Sequence, residues 1–310
     1  MKKLATIQID VDGLWVIFQH FGYQKHTTSD ILYESALPRF LDLFGQYDIK
    51  ATFFVVGRDL LVPARISLLK EAVRRGHEIA NHTMNHTEGF SYLPAHKKKG
   101  EIEEAEKVIE STLGVKPVGF RTPSNDVDEE TLKILEDRGY VYDSSLMPTY
   151  YGPILKRLKF SSLSIPRKDN YLGKWHYGFS PLHPYNPSYT SLHRRGTMKL
   201  LEIPITTMPY LRLPFHASFV FAAASLGLKS LLFDIGFFLL TRSKLGVYNF
   251  VFHTNELSDQ IFDIKIKRQF GLNLPLSQKQ ELCSHVLQKI TRNFQCVTTK
   301  EYVKKFHRTD

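Results

Sequence analysis

Two kinds of hydrophobic pattern alternate along the first half of the chain. Short apolar runs, typical of buried strands, are followed by segments with apolar residues three or four positions apart, typical of helices that face a core. Glycines after the periodic segments mark helix ends. The predicted strands are LATIQID, ATFFVVG, HEIAN, VGFR and YVYD, and the predicted helices are ALPRFLDLFGQY, SLLKEAVRRG, EIEEAEKVIESTLG and DEETLKILEDRG. This alternation predicts an α/β fold with a mainly parallel sheet.

The alternation of strand and helix patterns is interrupted once and then resumes. Residues 144–200 are rich in Pro, Gly, Tyr and Ser and predict a long irregular insertion. Strand and helix signals return in LLEIPITT, an apolar helical region at residues 217–240, YNFVFHT, and SQKQELCSHVLQKITRN. No repeat or flexible linker separates these segments. Residues 1–310 are therefore expected to form a single catalytic domain, with a length that suits one α/β barrel.

Polar side chains with catalytic potential recur where the predicted strands end. In chain order they are Asp10, Asp12, His82, His86, Arg121, Asp143 and His253. The carboxyl ends of the strands of a parallel α/β barrel meet at one face, where active sites are built from the following loops. We therefore expect residues more than 240 positions apart in sequence to converge there.

Local spacing supports a metal site. Asp10 and Asp12 stand at i and i+2 of a strand, so both side chains point to the same side. His82 and His86 are expected on one helical turn, with Cβ atoms about 5–6 Å apart, so that both imidazoles can reach one cation. Plainer interpretations remain open: the aspartates as a turn or helix-cap pair, and the histidines as a structural pair.

Arg121 and His253 have similar alternatives. Arg121 precedes a Pro-fixed turn in GFRTPS, and its planar fork suits the orientation of a carboxylate. An ordinary surface or helix-capping arginine is the other interpretation. His253 follows the apolar run YNFVF, where a histidine serves either chemistry or the packing of the core.

Charge and composition narrow the classes of partner. The formal charge of +10 favours an anionic partner. The basic residues are dispersed and no zinc finger, RNA-binding signature or long basic helix is present, so specific nucleic-acid binding is not expected. Cys283 and Cys296 lack the spacing of a thiolate zinc site. Before Asp10 there is no apolar run of the kind found in the core of a signal peptide, so no signal peptide is predicted and a cytoplasmic protein is expected.

The apolar region at residues 217–240 bears on where the protein acts. Lys229 and Ser230 divide it into two runs, and neither run reaches the roughly 20 residues of a membrane-spanning helix. Buried barrel helices and a surface that contacts a membrane both fit this pattern. With the surplus of basic residues, the second interpretation suits peripheral contact with the inner face of an anionic membrane, and a lipid-linked sugar as substrate.

Five motifs together resemble those of one family. In order, they are IDVDG, HEIANHTMNH, GFRTPS, YDSSL and VFHTNE. They are similar to the motifs of the polysaccharide deacetylase family, also called the NodB-homology or carbohydrate esterase four family, over residues 4–256. The resemblance implies a distorted (β/α) barrel. It also implies that Asp12, His82 and His86 hold a divalent metal ion, with zinc expected. Asp10 would then be the general base, Arg121 would orient it, and His253 would be the general acid.

Two departures from the family pattern affect the roles. Val11 separates aspartates that most members keep adjacent, a form similar to the branch that contains aminoarabinose-lipid deformylases. The division of labour between Asp10 and Asp12 therefore stays open. YDSSL lacks the usual tryptophan of its motif; Asp143 is expected to remain from that motif as a partner of His253, with Glu256 as its rival. Trp175 in the insertion is a candidate for the missing aromatic wall, or else a packing residue.

The function expected from these residues is metal-dependent hydrolysis of an amide. The substrate would be an N-acyl amino sugar, carrying acetyl or formyl, in a polysaccharide, another glycan or a lipid-linked sugar. The alternative is a catalytically silent protein of the same fold that binds a glycan or lipid carrier. A complete set of acid, base and metal ligands favours the enzyme, because a pure binding protein has no use for all of these groups.

Overall fold

The computed structural model is built around one curled sheet of eight strands. All pairings between these strands are parallel. They are β1 (Lys3–Val11), β2 (Thr52–Val55), β3 (Glu78–Asn81), β4 (Gly119–Phe120), β5 (Tyr142–Asp143), β8 (Leu201–Glu202), β9 (Val247–His253) and β10 (Phe294–Val297). The structure describes residues 2–23, 30–154, 175–244, 247–259 and 274–307. The α/β prediction with a mainly parallel sheet is confirmed.

Strand β1 is the centre of the sheet because three strands pair with it. Its first residues, from Lys3 to Thr6, pair with β10, and its last residues pair with β2. Strand β9 pairs with β1 over Leu4 to Asp10, where Asp10 lies opposite His253. From β2 the order continues through β3, β4 and β5 to β8.

The two edges of the curled sheet approach each other beyond β8. The backbone N–H of Thr206 donates to the carbonyl of Asn249 on β9 at 3.2 Å, and the N–H of Asn249 donates to Thr206 Oγ1 at 2.9 Å. Asn249 Nδ2 also donates to Ser144 Oγ at 3.1 Å. These bonds draw the edges together in the manner of a distorted barrel, and they bring the ends of β1, β5 and β9 to a common face.

Nine α-helices are described around the sheet, mostly where the apolar periodicity predicted them. They are α1 (Leu14–His20), α2 (Leu37–Gln46), α3 (Pro63–Arg74), α4 (Ala95–Leu113), α5 (Glu129–Asp137), α6 (Ala217–Ala223), α7 (Leu231–Arg242), α8 (Leu276–Asn293) and α9 (Thr299–Phe306). Helix α1 was not predicted from sequence. The main core lies between β1, β9 and helices α2 and α8, where the rings of Phe40 and Phe44 each pack edge to face with Phe252.

The insertion contains more structure than its pattern predicts, and the apolar region forms two helices. Strands β6 (Pro187–Ser188) and β7 (Ser191–Arg195) form an antiparallel pair within residues 144–200, of which 155–174 lie outside the described residues. The apolar region forms α6 and α7, joined by a turn in which Gly227 and Lys229 have positive φ. Among the described residues, no helix has the length and apolar character needed to cross a membrane.

Candidate metal and acid–base site

Six of the seven predicted residues come together where the strands end. Asp10 on β1 and His253 on β9 are register partners, and their side chains approach to 3.6 Å between Asp10 Oδ2 and His253 Nε2. Arg121 follows β4 directly and reaches back to Asp10, while His82 and His86 follow β3 and face Asp12. The predicted convergence of distant residues on one face is therefore what the fold produces.

Arg121 is completely buried and its side chain holds Asp10. Its Nη1 donates to Asp10 Oδ1 at 2.5 Å, and its Nε donates to the carbonyl of Ser144 at 2.8 Å. Nη2 donates to Gln8 and to Ser144 Oγ, and the guanidinium lies 4.2 Å from the centre of the Phe54 ring. With its fork satisfied in this way, Arg121 is neither a surface nor a helix-capping residue, and the orientation of Asp10 is fixed.

The electrostatics around Asp10 favour its charged form. Burial raises the pKa of this carboxyl, but the positive charge of Arg121, together with the smaller electrostatic effects of His82 and His253, outweighs burial. The net effect is a pKa below the ordinary value of 3.8. Asp10 is therefore an ionised carboxylate at neutral pH, with Oδ2 turned towards His253.

Asp12, His82 and His86 form a second group beside Asp10. Asp12 Oδ1 lies 3.7 Å from His82 Nε2 and 3.6 Å from His86 Nε2, and one ligand atom from each of the three residues falls within 4.8 Å of the others. Asp12 Oδ1 is buried and has no hydrogen-bond partner within the described residues. A buried carboxylate oxygen is costly without a partner, and a cation between the three ligands would supply one.

The hydrogen bond of His82 Nδ1 leaves Nε2 available to bind a metal ion. Nδ1 lies 2.9 Å from the backbone carbonyl of Arg121, and because a carbonyl only accepts, Nδ1 carries the proton. Nε2 then has a free lone pair directed at Asp12. Burial lowers the pKa of His82 despite the neighbouring aspartates, which keeps the imidazole neutral as a ligand must be. The donor set fits a divalent cation bound by nitrogen and oxygen.

The two histidines do not lie on a helical turn as expected. Residues 82–86 form an irregular loop after β3 in which Thr83 and His86 have positive φ. The Asn81 side chain accepts from the Thr83 N–H at 2.8 Å, and Thr83 Oγ1 accepts from the His86 N–H at 3.1 Å. These side-chain bonds hold a tight turn that brings the imidazole rings to 5.0 Å, without the regular spacing of a helix.

His253 has Glu256 as its acidic neighbour. Glu256 is buried, its Oε2 accepts from the His253 N–H at 2.8 Å, and its Oε1 lies 3.6 Å from His253 Nδ1. Ser218 on α6 bridges the pair, because its hydroxyl lies 3.1 Å from Nδ1 and donates to Glu256 Oε1 at 2.7 Å. Burial lowers the pKa of His253, but Glu256, Asp10 and Asp12 outweigh burial and raise it to about 9. His253 is therefore protonated at neutral pH.

Asp143 does not partner His253, and that expectation is corrected. Its carboxylate accepts from Ser145 Oγ at 2.6 Å and from the Ser145 N–H at 3.1 Å. It also neighbours Glu202, its register partner on β8, and burial raises the pKa of both carboxyls. Asp143 thus shapes the turn at residues 144–145 that holds Arg121. The rival, Glu256, has the role expected of Asp143.

Three further residues that contact the site's side chains were not identified from sequence. Gln8 accepts from Arg121 and shares the strand face of Asp10, so its i−2 spacing was a usable signal. Ser144 follows Asp143 in the YDSSL motif. Ser218 gave no signal, because it reaches His253 from a distant segment. Trp175 lies exposed against Phe179, with 5.5 Å between ring centres, and its expected role as a site wall stays a prediction.

Comparison with known proteins finds similarity to one family. Residues 26–142 match the family model described as polysaccharide deacetylase. Over these residues the chain is similar to the polysaccharide deacetylases. It is 35% identical over 103 residues to a peptidoglycan-N-acetylglucosamine deacetylase of Bacillus cereus, over 33% of this chain and 46% of that protein. The chain thus covers less than half of that relative's length.

Solved structures show the same fold. A crystal structure of a putative polysaccharide deacetylase from Mycobacterium smegmatis superposes with a TM-score of 0.60 at 18% identity, covering 99% of this chain and 91% of that one. A carbohydrate esterase four pseudoenzyme from Bacillus anthracis superposes with a TM-score of 0.50 at 14% identity, covering 97% and 66%. The distorted barrel expected from the polysaccharide deacetylase motifs is confirmed.

Proposed function

We propose that this protein is a metal-dependent hydrolase that removes an N-acyl group, acetyl or formyl, from an amino sugar. One observation carries the proposal. An ionised carboxylate, Asp10, and a protonated imidazole, His253, stand 3.6 Å apart beside a buried donor set whose Asp12 oxygen has no hydrogen-bond partner in the described part of the chain. Amide hydrolysis needs a base, an acid and a site for an electrophilic metal ion.

Each residue then has a role that follows from its surroundings. Asp12, His82 and His86 would hold a divalent ion, with zinc expected, which supplies Lewis-acid polarisation of the amide carbonyl and acidifies water. Asp10, held by Arg121, accepts the proton of the attacking water. His253 donates its Nε2 proton to the departing amine, and Glu256 behind it stabilises the imidazolium before transfer.

The relatives suggest the class of substrate. The B. cereus protein is named for a deacetylase acting on N-acetylglucosamine in peptidoglycan, which supports an N-acetylated glycan. The Asp-Val-Asp form of the first motif resembles the branch with aminoarabinose-lipid deformylases, which supports a formylated, lipid-linked sugar that the enzyme meets at a membrane face. The shared chemistry is a secondary amide on a sugar ring, and the leaving amine needs the acid that His253 provides.

Release of acetate and formate from a panel of N-acyl amino sugars, glycans and lipid-linked sugars tests the proposal. Wild type is expected to act on at least one of them, and Asp10→Asn to lose roughly 10²–10⁴-fold in rate as a general base is removed. Asp42→Asn is the matched control, because Asp42 is an exposed carboxylate paired with Arg75 far from the site in sequence. Tight glycan binding without release of either acid would favour the silent binding protein instead.

A further inference from the structure

A short hairpin beyond β8 projects two large apolar side chains into solvent. Thr207 and Pro214 form an antiparallel bridge at its base, and the Met208 N–H donates to the Leu213 carbonyl at 2.8 Å. At its tip Tyr210 is 94% exposed and Leu211 is 55% exposed. Tyr210 takes positive φ, so the turn holds its tyrosine outward with a defined backbone rather than as a loose end.

A second apolar projection is the turn between α6 and α7. Leu226 is 80% exposed and Leu228 is 45% exposed, on either side of Gly227 with its positive φ. Helix α7 continues the surface: Leu231, Ile235 and Phe238 are each at least half exposed and recur at helical spacing. We call Tyr210, Leu211 and these five residues the apolar face.

The two projections are neighbours. The Cβ position of Gly236 on α7 would fall 2.7 Å from Met208 Cε at the base of the hairpin, so helix and hairpin are packed closely together. Phe233 packs against Phe250 and, one turn later, Phe237 packs against Tyr248. Helix α7 therefore runs antiparallel to β9, and its first residues lie towards the end of the sheet where the candidate site is.

The charges around the apolar face are positive. Between residues 225 and 244 the sequence has the basic residues Lys229, Arg242 and Lys244 and a single acidic residue, Asp234. Asp234 is already neutralised by Lys289, whose Nζ lies 2.5 Å away. Arg242 lies over the ring of Phe238 at 3.6 Å, so cation and apolar surface form one unit. This combination is complementary to an anionic, apolar partner.

We propose that the apolar face docks the protein on the surface of an anionic lipid bilayer. Projecting tyrosine and leucine tips suit insertion between headgroups, where aromatic rings and apolar chains are favoured and lysine and arginine meet lipid phosphates. A protein partner is the less favoured occupant, since tips that project separately would require a matching pair of recesses. The docking proposal holds whether or not the candidate site is catalytic.

Flotation of the full chain with vesicles tests the proposal. Wild type is expected to float with vesicles of phosphatidylcholine and phosphatidylglycerol, and at least about tenfold less with phosphatidylcholine alone. The triple variant Tyr210→Ser, Leu226→Ser, Leu228→Ser is expected to weaken binding by a factor on the order of ten or more, through the lost apolar transfer. Leu61→Ser is the matched control, because Leu61 is 62% exposed but lies outside the apolar face.

Two further variants separate docking from folding and from catalysis. Lys229→Glu with Arg242→Glu should reduce flotation on anionic vesicles with little change in thermal midpoint, since both side chains are exposed. Asp10→Asn should float like wild type. The proposal is overturned by wild type that stays with the unbound fraction, or by a triple variant that floats equally well. A concentration-dependent dimer in light scattering that the triple variant abolishes would assign the apolar face to a second copy instead.

Discussion

Asp10 and Asp12 are two residues apart on one strand end, yet their surroundings are opposite. Asp10 accepts a 2.5 Å bond from a buried arginine, with its other oxygen facing His253. Asp12 presents a buried oxygen with no hydrogen-bond partner among the described residues to two imidazole nitrogens. The hydrogen bonds of the Asp10 side are therefore satisfied within the protein, whereas the Asp12 side presents ligand atoms of the kinds that bind a divalent cation.

This difference supports a division of labour that sequence left open. A general base works best when its orientation is fixed and it remains free to accept a proton, as Asp10 is. A metal ligand needs an oxygen that nothing else has satisfied, as Asp12 has. Insertion of Val11 between the aspartates keeps both on one face of β1 rather than on opposite faces.

Exchanging each aspartate for its amide gives the sharpest test of this contrast. Asp12→Asn is expected to lose most of the bound metal and to reduce activity to background, because a charged ligand is removed. Asp10→Asn should keep its metal while losing roughly 10²–10⁴-fold in rate. Metal analysis of both purified variants alongside kinetics checks this, and unchanged metal in Asp12→Asn would refute the ligand assignment.

Replacing Arg121 tests how much its ion pair with Asp10 contributes to the stability of the fold. Arg121→Met leaves a buried carboxylate unpaired and is expected to lower the free energy of unfolding by about 3–5 kcal/mol. Arg75→Met is the control: Arg75 pairs with Glu71 and Asp42 on the surface, where such pairs contribute about 0–1 kcal/mol. Urea unfolding of both variants measures the difference, and equal losses would contradict the buried-pair interpretation.

The raised pKa of His253 predicts how activity depends on pH. His253 has a pKa raised to about 9, so the acid is present at neutral pH and is lost as pH rises through that value. Glu256→Gln removes the main charge that raises this pKa, so the alkaline limb of kcat/KM should move to lower pH. Asp143→Asn should leave the limb in place, since Asp143 contacts Ser145 and Glu202 rather than His253. A shift in both variants, or in neither, would count against Glu256 as the partner.

The smallest expected effect comes from Ser218. Ser218→Ala removes the hydroxyl between His253 and Glu256 but leaves the carboxylate 3.6 Å from Nδ1. One neutral hydrogen bond contributes about 0.5–1.5 kcal/mol, so kcat/KM is expected to fall about tenfold or less. Ser225→Ala is the control, because its hydroxyl bonds only a helix carbonyl on the same segment. A loss as large as that of Asp10→Asn would give Ser218 a more direct role.

Sequence predicted the parts of this molecule that depend on local periodicity. The strands and most helices lay where apolar spacing placed them, and the parallel order put the polar strand ends on one face. Local reasoning failed at the turn holding His82 and His86, where a four-residue spacing resembles a helix but side-chain bonds from Asn81 and Thr83 decide the backbone.

Pairings across the fold were harder to anticipate. The pairing of His253 with Glu256 has a local signal, since Glu256 lies three residues on and accepts from the His253 N–H. The contact of Ser218 with His253 depends on the route of α6, which no local pattern encodes. The apolar region at residues 217–240 was known only as apolar. Its division into a buried side and an exposed stripe follows from the packing of α7 on β9 through Phe233 and Phe237.

Arg121 serves both sides of the site with different atoms. Its guanidinium binds Asp10, and its backbone carbonyl accepts from His82 Nδ1. The residue follows β4, a strand of only two residues whose Gly119 has no room for a side chain because the Tyr142 ring lies directly over it. Thermal displacement of this short strand would therefore carry Asp10, the proposed base, and His82, the proposed metal ligand, together. Both groups are hydrogen-bonded to the same residue, so the spacing between Asp10 and His82 should vary less than the position of either group in the protein.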